Sequence, residues 1–218
     1  QQMDSLRIKQ DVLRSLLPHL RMDLTCGQKN PIGNMLRHTA GYSFRDLSFH
    51  LLASPEEGLN GNGHMHSLNT GAILLDSIYW KVRQEESGVA LDARVANGPK
   101  NSIVTFMSQV HAALTETGAN ANMAFYDAQG KKSVDFGLAL DLLSDGFRAH
   151  FTPLNPIIAY RQFTLNEDNF VSLTHDGHLD ALVDLLADDG TGLKLYTTPN
   201  EEAQQDVSLS VNHFNVGE

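Results

Sequence analysis

Residues 103–130 constrain the fold most, because they read as strand, turn and strand. The apolar run 103–114 suits a strand. Residues 118–122, Gly-Ala-Asn-Ala-Asn, supply turn-forming Gly and Asn, and 123–126, Met-Ala-Phe-Tyr, are extended in character. Two strands joined by so short a connection must run antiparallel. The expected hairpin also carries chemistry. Centred near Ala119, it places His111 opposite Asp127, and cross-strand partners lie about 5 Å apart between Cβ atoms.

The 218 residues, 41% of them apolar, are enough for one buried core, so a single domain over 1–218 is expected, with 205–218 as a loose tail. The net charge of −10 carries no basic cluster. That argues against nucleic acid, whose phosphates demand a cationic face, and against anionic membrane surfaces. No apolar run reaches the roughly 18–20 residues of a membrane span. No secretory signal is visible, and the start, Gln1-Gln2-Met3, reads as the beginning of a fragment. The single cysteine, Cys26, cannot form an internal disulfide.

Along the chain, helical spacing is read over 4–21, 66–84, 138–151 and 178–187. A short helix over 31–38 has Asn30 as its cap, Pro31 in its first turn and Gly41 as its stop. Residues 43–52 are helical or extended. Residues 55–63, with Gly58, Gly61 and Gly63, read as a flexible loop that could serve as a lid. Strands are expected over 89–95, 132–136, 157–165, 170–174, 193–197 and 207–214. Helices first and strands later predict an α+β fold, with an antiparallel sheet and packed helices.

Cys26, His111 and Asp127 follow one another in the order thiol, imidazole, carboxylate. In that arrangement the imidazole takes the thiol proton and the carboxylate fixes the ring. The segments Val110-His111-Ala112-Ala113-Leu114 and Ala124-Phe125-Tyr126-Asp127-Ala128-Gln129-Gly130 resemble the His and Asp strands of the papain-like cysteine effectors of bacterial pathogens. The resemblance covers roughly 22–151. It implies a papain-like fold and an amide hydrolase, either a protein glutamine deamidase or a cysteine protease. Cys26 would be the nucleophile, His111 the base and acid, and Asp127 the orienting group. It further implies a secreted effector acting on a host protein in the host cytoplasm, without a cofactor. Thr25-Cys26-Gly27 departs from the family's usual Gly-x-Cys entry. Gly61 to Leu68 looks more like that entry but carries Met65 where the cysteine would stand. That alignment implies a catalytically inactive binding or scaffolding module.

Two other patterns have chemical content. His64-x-His66, with His38, His50 and Asp76 nearby in sequence, offers zinc ligands if the pair lies on a strand. Asp176-Gly-His178-Leu-Asp180 reads as a turn followed by a helix cap.

Overall fold

The computed structural model describes residues 9–98, 105–200 and 204–212. Among them are two short helices and fourteen strands: α1 (Gln10–Ser15), β1 (Leu20–Gly27), α2 (Pro31–Ala40), β2 (Asp46–Ser54), β3 (Gly58–Asn69), β4 (Leu74–Glu85), β5 (Gly88–Ala96), β6 (Phe106–Thr115), β7 (Gly118–Asp127), β8 (Lys132–Leu143), β9 (Gly146–Ile158), β10 (Arg161–Leu165), β11 (Phe170–Thr174), β12 (Leu179–Ala187), β13 (Gly192–Asn200) and β14 (Gln204–Asn212). The papain-like α+β expectation is therefore corrected: this is an antiparallel β protein without packed helical layers.

The error has a physical source. In 66–84 the residues Leu68, Ile78 and Val82 suit a helical period, yet Ile78, Trp80 and Val82 alternate with Tyr79, Lys81 and Arg83 at the strand period of two. Leu138, Leu140 and Leu142, and Ala181, Val183 and Leu185, alternate in the same way. Where both faces of a strand carry some leucine, short windows fit either period. Residues 55–57 form a tight turn, and Gly58, Gly61 and Gly63 lie within β3 rather than in a lid. Of the expected first helix only Gln10–Ser15 is helical, and residues 4–8 lie outside the described residues. The expected tail is paired as β14 along its first part, and 213–218 lie outside the described residues.

The helix at Asn30 forms as the local signals dictate. The Asn30 side chain accepts a hydrogen bond from the Gly33 amide at 2.9 Å, Pro31 occupies the first turn, and Gly41 ends the helix in the left-handed region at φ 71°. Buried Phe44 packs beside Gly33, close to the start of this helix.

Chain contacts divide the molecule into two compact units. The first comprises the described residues of 9–116 and 123–132; the second comprises those of 117–122 and 133–212. In the first unit β1 to β6 pair in sequence order, each strand antiparallel to the next. In the second, β8 pairs with β9, and β12, β13 and β14 follow one another. Between β9 and β12, β10 and β11 run in line as one interrupted strand. The buried core of the second unit gathers here, around Ala149, Phe163, Leu165, Ala181, Val183 and Ala187.

Candidate functional site

The register of β1 to β6 separates two chemistries cleanly. Residues paired directly across antiparallel strands point to the same side. One row across the six strands reads Met22, Leu51, Gly61, Val82, Leu91, Ala112, and the next on that side reads Leu24, Phe49, Gly63, Trp80, Ala93, Val110. The rows between them, on the opposite side, read Asp23, His50, Asn62, Lys81, Asp92, His111 and Thr25, Ser48, His64, Tyr79, Arg94, Gln109. One face is hydrocarbon and the other is polar and charged.

The apolar face lacks the fully buried rows that a packed second layer produces. Phe49, Leu51, Trp80 and Val82 are half-buried, and Met22, Leu91 and Leu114 are exposed. At its centre Trp80, the only tryptophan, lies 5.1 Å from the Phe49 ring. Gly63 makes room for the indole: a Cβ there would sit 2.4 Å from Trp80 Nε1. The glycines that resembled a loop in the sequence are thus strand positions over which an aromatic ring lies.

On the polar face, three histidines stand directly across from aspartates. His50 Nδ1 bonds Asp23 Oδ1 at 2.8 Å, His66 Nδ1 bonds Asp46 Oδ1 at 2.5 Å, and His111 Nδ1 bonds Asp92 Oδ1 at 2.7 Å. Arginine flanks each pair: Arg21 on Asp23, Arg45 on Asp46 and Arg83 on Asp92. These hydrogen bonds lower the three carboxyl pKa values, led by His50 at Asp23, by Arg45 and then His66 at Asp46, and by His111 at Asp92.

A pH dependence follows. Carboxyls depressed on folding contribute stability that is fully present above their unfolded pKa of about 4. It is lost as pH falls through the folded values. Thermal melts should therefore decline from about pH 4 downward, and Asp46→Asn should flatten part of that decline. Because the groups are exposed, added salt should weaken the effect. An equally steep acid limb in the Asp23→Asn, Asp46→Asn, Asp92→Asn triple variant would refute the assignment.

The structure does not bring Cys26, His111 and Asp127 together. Cys26, in β1, belongs to the apolar side, whereas His111 belongs to the polar side. Four strands lie between β1 and β6, a separation along the sheet of about 24 Å at the usual strand spacing. His111 has Asp92 as its carboxylate partner. The connection after β6 is the tight turn at Glu116 and Thr117, and Gly118 already opens β7. Asp127 sits at the far end of β7, where its Oδ1 accepts from the Gln129 and Lys131 amides in a turn. Sequence reasoning missed Asp23, Asp46 and Asp92. Their signal is register, which a single strand does not show.

His64 and His66 do lie on one strand, as their spacing allowed, but Asp76 and His38 are not their partners; Asp46 is. His178 follows a turn at Asp176 and Gly177 that leads into strand β12, not into a helix.

No model of a known protein family, no curated protein and no solved structure matches this chain. Among the described residues no helix is long and apolar enough to cross a membrane.

Proposed function

We propose that this chain is a non-catalytic binding module that holds an apolar partner against the hydrocarbon face of β1 to β6. The observation that carries this reading is the row of leucine, valine, phenylalanine and tryptophan side chains across six strands, none of them fully buried. Contiguous exposed apolar surface on a water-facing protein marks an interaction site. The charged side chains of the central strands stand on the opposite face, so the ligand part seated at the centre is hydrocarbon rather than ionic.

Trp80 is a built-in reporter. Titration with the uncharged fluorophore N-phenyl-1-naphthylamine should give saturable binding, with energy transfer from the tryptophan to the bound dye. A signal that fails to saturate, or Trp80 emission unchanged at saturation, would refute the proposal.

A further inference from the structure

We infer that Asp46, His64 and His66 form a site for a divalent transition-metal ion of the Zn²⁺ type, on the face of the sheet opposite the apolar one. Strands β2 and β3 bring the three side chains together: Asp46 is paired with His66, and His64 lies two residues away on the same side. Their ligand atoms, Asp46 Oδ1, His64 Nε2 and His66 Nδ1, lie within 4.8 Å of one another, with the oxygen 3.5 Å from His64 and 2.5 Å from His66. Ligand bonds of about 2.0–2.1 Å in a tetrahedral shell place donor atoms about 3.3 Å apart. The tight pair must open and the wide pair close by roughly 1 Å. Rings on a solvent-facing sheet surface, here about one-third exposed for His64 and about one-fifth for His66, make that adjustment by side-chain rotation.

The surrounding contacts orient the ligands. Tyr79 Oη, on β4, lies 3.1 Å from His66 Nε2 and can accept its proton, leaving the Nδ1 lone pair for the metal. Arg45 Nε holds the second Asp46 oxygen at 2.8 Å, so Oδ1 is the oxygen presented to the ion. Two imidazoles and one carboxylate favour Zn²⁺ or a similar borderline cation over Mg²⁺ or Ca²⁺, which take oxygen shells. Three protein ligands leave a fourth position for water. The Asp23–His50 and Asp92–His111 pairs each supply one imidazole, so among the described residues this cluster alone joins two imidazoles to a carboxylate.

The test is calorimetric titration of the intact chain with Zn²⁺, backed by the visible ligand-field bands of bound Co²⁺. One equivalent should bind. His64→Ala and His66→Ala should each weaken binding tenfold or more and abolish the Co²⁺ bands. The nearly isosteric Asp46→Asn should also weaken it, while His50→Ala and His111→Ala leave it unchanged. Tyr79→Phe, which removes only the orienting contact, should weaken binding by a smaller factor. Melting curves confirm that each variant is folded, and Asp46→Asn provides the test if a histidine variant is not. Absence of a one-equivalent site, unaltered affinity in the folded His64, His66 or Asp46 variants, or equal loss in the His50 or His111 variants would overturn the inference.

Discussion

Asn169→Ala is expected to destabilise the second unit by about 3 kcal/mol, lowering its melting temperature by roughly 6–12 °C. The reason lies in the break between β10 and β11. Over residues 166–169 the interrupted strand loses its backbone ladder, and two asparagine side chains take its place. Asn169 Oδ1 accepts from the Phe151 amide at 2.7 Å and its Nδ2 donates to the Phe151 carbonyl at 3.3 Å, on the β9 side. Asn166 Oδ1 accepts from the Asp184 amide at 2.8 Å, on the β12 side. Asn169 also donates to the Asn166 carbonyl at 3.0 Å, which ties the two together. Asn169 is only 2% exposed, so alanine would leave buried backbone groups of Phe151 without partners, and water cannot replace them freely. Asn169→Asp keeps the acceptor and loses the donor, so it should fall between the two. A calorimetric change under about 0.5 kcal/mol for the alanine variant would show that the ladder closes without this side chain.

Leu91→Asp should weaken binding of the apolar fluorophore at least tenfold while the protein remains folded. Leu91 stands between Val82 and Ala112 on the hydrocarbon face and is 38% exposed, so an ionised carboxylate there keeps its hydration in the free protein. Seating a hydrocarbon ligand over it would strip that hydration, and burying an unpaired charge costs several kcal/mol. Leu91→Ala is the control: it removes contact area without adding charge and should cost far less. The dye titration followed by Trp80 emission measures both. Unchanged affinity in Leu91→Asp would place the dye elsewhere and remove the apolar face from the function.

What the sequence determined was local. The helix over Pro31–Ala40 was legible because its cap, its proline and its terminating glycine act within a few residues of one another. The strand nature of β6, β11 and β13 was legible because β-branched, aromatic and leucine residues cluster there between turn signals. The His64-x-His66 spacing correctly held out the possibility of two imidazoles on one side of a strand.

The tertiary structure decided the rest, because sheets are built from partners remote in sequence. Residues 66–84, 138–151 and 178–187 carry leucines at spacings that suit helix and strand alike, and hydrogen bonding to neighbouring strands resolved them as strands. The turn after β6 fell at Glu116 and Thr117, not at 118–122, and so His111 met Asp92 on β5 while Asp127 was left to its own turn. A shift of one residue in register exchanges the two faces of a strand. Register alone put Cys26 on the hydrocarbon side and His111 on the charged side, and carried Asp46 to His66 across a distance of twenty residues in the chain.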